Sequence, residues 1–307
     1  MTTDTFSPAQ NAPFSFRPAL LLGLLCFLAS LFCLELAAFG NKISPIWYAS
    51  AIMTVAVFRC RGPSLALILA ACLFGTLCAN LLMFGLDWSL LAFSLINLLQ
   101  GLTGGLLLRM LLRPDAPLDS LMSWCKMVVA VGILMPLLGA LAAIWWLHII
   151  GGAPTLHFFL TWILAEVIGM LALGPVCLLW QPGYLRQQAQ QHALLEPLAT
   201  LVFSLLLCCL ALRFLPWPFT FVIVILFWAA VRLPRLEAFF VFFANISLAS
   251  LLLAFNLIEL HTVNSAFRLT APWLPFLLVL IPSHIMTMVM FSFREEKKHI
   301  SESEQRF

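Results

Sequence analysis

Long apolar runs separated by short polar breaks make up almost the whole chain. A bilayer core of about 30 Å takes about 20 helical residues to cross. Reading the runs against charged and Pro/Gly breaks predicts ten helical segments. They are roughly Pro18–Phe39, Ile43–Phe58, Ser64–Phe84, Trp88–Leu112, Leu121–Leu147, His157–Trp180, Leu194–Leu215, Trp217–Val231, Leu236–Leu257 and Pro272–Phe293. The second and eighth are short for a full crossing, and each opens on a Pro-aromatic cluster: Pro45, Trp47 and Tyr48, then Pro216, Trp217, Pro218 and Phe219.

Composition makes lipid the solvent. Of 307 residues, 63% are apolar and 9% charged, with a mean hydropathy of +1.05. Soluble domains carry about 25% charged residues, so a soluble enzyme is excluded. The few charges then sort the topology through the positive-inside rule. With ten spans and a cytoplasmic N-terminus, 13 of the 16 Lys and Arg residues fall on the inner side, leaving Lys42, Arg213 and Arg268 outside. Merging either short segment into its neighbour scrambles that division. The expected fold is therefore all-α, a polytopic integral membrane bundle of about ten transmembrane helices with N- and C-termini cytoplasmic. Residues 1–17 form a cytoplasmic tail, 18–293 the membrane domain and 294–307 a cytoplasmic exit helix or connector. That last stretch, with four basic and four acidic residues, follows the final span without a Gly or Pro stop.

Loops are short. Gln181–His192 is the longest inner one and reads as a surface helix, and Glu259–Thr270 is the main outer one. Pro45–Ala66 and Pro216–Ala238 echo each other: a Pro-aromatic opening, a short apolar helix, arginines around a tight turn with proline, then another helix. A parallel repeat is one reading, and the shared needs of any inner hairpin the other.

Polar groups within lipid-buried stretches are few, and each is a candidate. An intramembrane carboxylate costs about 3 kcal/mol on insertion scales unless paired or protonated. Glu35 lies near the outer end of the first span, and Glu237 at the inner start of the ninth beside Arg232 and Arg235, where an inner-surface ion pair is expected. Glu166, in mid-span, is the expensive one. Asn97, Gly101 and Gly105 share one face of the fourth span as a small-xxx-small strip, with Gln100 close enough to Asn97 to share a partner. Glu166, Asn97, Gln100 and Trp47 thus form the candidate signal-sensing or intramembrane polar cluster, to be weighed against interhelical hydrogen bonding. Gly101, Gly105, Gly169 and Pro175 are read as packing or kink residues. Asn80 and Asn245 read as links between helices, and His284 as a buried neutral histidine.

No catalytic or metal-binding pattern is present. The sequence has no HExxH, Walker loop, GxSxG or CxxC, and seven of the nine cysteines sit inside apolar runs as small hydrophobes. Basic residues are scattered, so no nucleic-acid footprint is visible.

Several stretches carry a resemblance: SPIWYASAI (44–52), NLLQGLTGGLLLR (97–109), WILAEVIGMLALGP (162–175), LPWPFTFVIVILFWAAVRLPRLEAF (215–239), and the end from PWLPFLLVLIPSHIMTMVMFSFREEKKHISESE. Together they resemble the MASE family of bacterial membrane-associated sensor domains, first type. More narrowly, the chain is similar to the N-terminal membrane domain of DgcE-type diguanylate cyclases. The resemblance implies a multi-pass protein of the bacterial inner membrane, an input module followed in relatives by PAS and GGDEF domains that make cyclic di-GMP. It further implies a homodimer, an unknown small-molecule or membrane signal, and no cofactor in this chain; GTP and Mg would enter only through the output domain. The chain stops where a first PAS domain is expected, so either it belongs to a larger protein or it acts through a partner. The alternative readings are a small polytopic transporter or channel, and a scaffold that only localises and dimerises an output domain.

Overall fold

The computed structural model describes residues 16–39, 44–190, 194–215, 218–255, 257 and 274–304. The expected outer loop 259–270, residues 1–15, Lys42, His192, Pro216, Trp217 and Arg306 lie outside the described residues. The chain is a polytopic bundle of helices. In order these are α1 (Phe16–Phe39), α2 (Ala49–Arg59), α3 (Pro63–Phe84), α4 (Trp88–Leu111), α5 (Leu121–Ile149), α6 (Leu156–Leu179), α7 (Tyr184–Gln190), α8 (Leu195–Phe214), α9 (Pro218–Arg232), α10 (Arg235–Ala254) and α11 (Leu274–Glu304). Among the described residues, eight helices are long and apolar enough to cross a membrane, while α2 and α9 are the shorter apolar ones. Helices suit lipid because every backbone group is satisfied within the segment.

The second segment differs from the uniform helix expected over Ile43–Phe58. Residues 44–48 are not helical, and α2 begins only at Ala49. Pro45 favours extended backbone before itself, and Ser44 Oγ holds the bend by donating to Cys33 O at 2.7 Å and Ile46 O at 2.6 Å. Every residue from Ile46 to Phe58 is buried. Non-helical backbone is tolerated at this depth because protein, not lipid, surrounds it. The Trp47 N–H donates to Ala165 O of α6 at 3.0 Å. α2 is therefore the hub of the bundle, packed on by α1, α3, α4 and α6.

Small residues set these approaches. A Cβ on Gly75 would lie 2.3 Å from Gly23 O, where α3 crosses α1, and one on Gly105 would lie 2.5 Å from Thr54 O. With lipid as apolar as the side chains, such close backbone packing supplies the attraction. α9, the echo of α2, departs from it: Phe221, Val224 and Trp228 are exposed on its outer face. The two hairpins share a layout and not a role.

α5 contains a break that its sequence pattern hides. Val128–Leu134 is π-helical, with the Met135 N–H donating to Ala130 O five residues back. Pro136 has no N–H for the regular ladder, which favours such a bulge.

Arginines gather at one end of the bundle. Arg109 donates to the carbonyls of Val57, Phe58 and Cys60, Arg59 to Leu178 O at 2.6 Å, and Arg294 to the carbonyls of Val231 and Leu233. These are carbonyls that α2, α6 and α9 leave unpaired in their last turns. Arg235 donates to Leu118 O and lies 3.3 Å over the Phe291 ring. The positive-inside rule assigns this end to the cytoplasm. α11 runs past it without interruption, and residues 295–304 are exposed.

Candidate functional site

At the opposite end from the arginines, α1, α3, α4, α6 and the extended segment before α2 surround a cavity of about 350 Å³. Its rim lies at Phe84, Asp87 and Phe158, near helix ends, and its floor at Asn97 and Glu166. Glu166 is the eleventh residue of α6, roughly 15 Å of helix from its start. The Thr155 hydroxyl fixes that start by accepting from the Phe158 N–H at 3.1 Å, capping α6.

Glu166 is 3% exposed, and its Oε1 accepts from Ser50 Oγ at 3.0 Å. Among the described residues, no ion pair involves Glu166. Gly169, one turn further along α6, makes the floor possible. A Cβ there would lie 2.0 Å from Trp47 O, so only glycine lets the extended segment cross α6 so closely.

Three of the four expected cluster members meet here. Trp47, Asn97 and Glu166 all line the cavity. Gln100 does not: it points to α5, where its Oε1 fills the space that a Cβ on Gly139 would need. Three residues along a helix is 300°, enough to turn it towards a different neighbour. Gly101 and Gly105 face α2, and Pro175 lies within α6. Asn80 joins α3 to α4 through Ser94 Oγ at 3.1 Å, and Asn245 joins α10 to α8 through Ser204 Oγ at 2.9 Å.

The expected ion pair of Arg232, Arg235 and Glu237 does not form among the described residues. Arg232 pairs with Glu196 of α8 at 2.8 Å, Arg235 serves the Leu118 carbonyl, and Glu237 accepts from the Tyr184 hydroxyl. Residues two apart on a helix point in different directions, and Arg232 ends α9 before the turn at Pro234. Burial first, then the adjacent Glu237 carboxylate, holds the Tyr184 hydroxyl above the ordinary tyrosine range.

Sequence reasoning missed Ser50, Phe93, Phe158, Trp162 and Asp87. Phe158, Trp162 and Glu166 recur every four residues along one face of α6, and that stripe is the signal that could have found the aromatic wall. Phe93 packs edge-on to Trp162 at 5.6 Å, and Phe158 lies 5.8 Å from it. Among the described residues, Trp47 Nε1, Asn97 Oδ1 and Trp162 Nε1 are buried without a hydrogen-bond partner. Buried polar atoms are normally paired, and these three share one cavity, within reach of a single bound molecule.

Comparison with known proteins agrees with the polytopic architecture. Residues 18–296 match MASE1. The chain belongs to the MASE1 family. It is also 42% identical over 286 residues to the probable diguanylate cyclase DgcE of Escherichia coli (strain K12), covering 93% of this chain and 26% of that protein. The chain thus spans about a quarter of the length of that relative. No solved structure matches. As a MASE1 domain the chain is a multi-pass membrane input domain, and the cavity lies inside the matched region.

Proposed function

We propose that this MASE1 domain senses a signal within the bilayer and regulates a cyclic di-GMP-synthesising output module joined to its C-terminus. The observation that carries the reading is α11. It is one unbroken helix of 31 residues, whose first part packs in the bundle and whose last part stands free beyond the arginine end. At 1.5 Å per residue it is about 46 Å long, well beyond the hydrocarbon core. Arg294 marks the exit by holding the α9–α10 turn. A movement of the bundle passes along such a rod to whatever follows it.

The relative's description as a probable diguanylate cyclase, with only its matched quarter represented here, supports placing the enzymatic step beyond this chain. In this reading the domain sits in the bacterial inner membrane with both ends in the cytoplasm. Residues 294–307 are the connector towards PAS and GGDEF domains, GTP and Mg belong to that output module, and the assembly is a homodimer. The test is a chimera joining this chain, through its own tail, to the remainder of the Escherichia coli relative. Insertions of two residues after Glu296 turn the helix by about 200°, and seven residues restore the phase. Cyclic di-GMP output should change at least threefold with two residues and return with seven. Output insensitive to both would overturn coupling through the helix.

A further inference from the structure

The nature of the signal can be read from the cavity's chemistry, an inference that rests on the sensory reading above. Among the described residues lining the cavity, the charged side chains, Asp87 on the rim and Glu166 on the floor, are both acidic. Glu166 is buried with one hydroxyl partner, and Asn97, 5% exposed, lines the same floor with its carbonyl oxygen unpaired. A carboxylate and an amide oxygen together make a floor of hydrogen-bond acceptors. Above it stand the rings of Trp47, Trp162, Phe93 and Phe158. Aromatic faces attract cations, most strongly where water is excluded.

Other ligand classes fit less well. An anion would meet the carboxyl group of Glu166 on the floor, with no Lys or Arg among the described lining residues to balance it. A divalent metal lacks ligands, since among the described residues no three His, Cys, Asp or Glu side chains come together. An uncharged apolar molecule would leave Asn97 Oδ1, Trp47 Nε1 and Trp162 Nε1, unpaired among the described residues, still unanswered, which costs free energy in a buried site.

We infer that this cavity binds a small organic ammonium ion, whose N–H groups meet Glu166 and Asn97 and whose apolar body lies among Trp47, Trp162, Phe93 and Phe158. A cavity of about 350 Å³ falls at the small end of ligand sites, suiting a monoamine with one ring or a short chain. Trp47 Nε1 and Trp162 Nε1 remain as donors for a hydroxyl or carbonyl on that body.

The test uses the whole chain in lipid nanodiscs and follows tryptophan fluorescence, independently of any cyclase output. Phenethylammonium is titrated alongside its neutral counterpart 2-phenylethanol and the anion phenylacetate. Saturable quenching by the ammonium, at least tenfold tighter than by either counterpart, is expected; equal response to all three overturns the proposal. Glu166→Gln should weaken ammonium binding tenfold or more, while Arg61→Gln at the other end leaves it unchanged. Because Glu166→Gln alters a buried position, Phe93→Leu is measured too, with an expected loss of threefold or more. Binding undiminished in both variants would also overturn the assignment. None of these outcomes bears on coupling through α11, which the insertion series tests separately.

Discussion

The two ends of this bundle hold their buried polar groups differently, although each keeps an unpaired atom among the described residues, Glu237 Oε2 being the one near the arginines. At the arginine end, Arg59, Arg109, Arg235 and Arg294 answer backbone carbonyls left by helix termini. At the cavity end, Trp47, Asn97 and Trp162 keep polar atoms that nothing in the described chain answers. Cations bonded to helix-end carbonyls fix one arrangement, whereas several unpaired atoms around one cavity have free energy to gain from a ligand. The difference separates a platform that holds the exit helix from a chamber whose state can change.

The comparison breaks most severely if the chamber's floor is filled. Gly169→Ala sets a methyl 2.0 Å from Trp47 O, and because that atom is backbone, the extended segment has to move. We expect a loss of about 3 kcal/mol, read as a lower detergent melting temperature together with loss of phenethylammonium quenching. Arg109→Met attacks the platform instead. It removes the partner of the Val57, Phe58 and Cys60 carbonyls. Because Arg109 is only half-buried and water can replace part of what is lost, the net destabilisation should be that of about one charge-assisted hydrogen bond, roughly 2–3 kcal/mol, while ligand affinity per folded molecule holds. Urea or thermal unfolding in micelles, paired with the quenching titration, distinguishes the two outcomes.

Between the ends lies a smaller effect. Trp124 Nε1 donates to His284 Nδ1 at 3.1 Å, tying α5 to the exit helix. Accepting that bond requires a neutral imidazole. Trp124→Phe should cost about 1 kcal/mol and loosen α11, seen as faster amide exchange around residue 284. Smallest of all is Arg113→Gln. Its ion pairs with Asp115 and Asp119 join side chains that are largely exposed, and the change should stay within about 0.5 kcal/mol.

Much of the fold was legible because lipid imposes simple rules. Segment bounds followed from apolar length and from prolines and charges, and α3 and α4 came out within a residue of their structural limits. What stayed hidden had no local signal. The π-helical stretch of α5 is apolar on every side, so periodicity says nothing about its pitch. The extended start of the second span needed the knowledge that Gly169 and Cys33 would receive it, and those are contacts distant in sequence. Glu166 stood out as a lone mid-membrane carboxylate, and Asn97 through its stripe with Gly101 and Gly105. Gln100 was grouped with them by spacing, yet spacing cannot tell which neighbouring helix a face will meet. The arginine–glutamate pair failed for the same reason, since the partners of Arg232 and Glu237 came from α8 and α7.

The most direct test of a receptive chamber coupled to an exit rod is cyclic di-GMP output from the chimera carrying Glu166→Gln, compared at equal membrane abundance with Arg61→Gln. The account predicts at least a threefold change for Glu166→Gln and an unchanged level for Arg61→Gln. Output equal to the parent in both would contradict it.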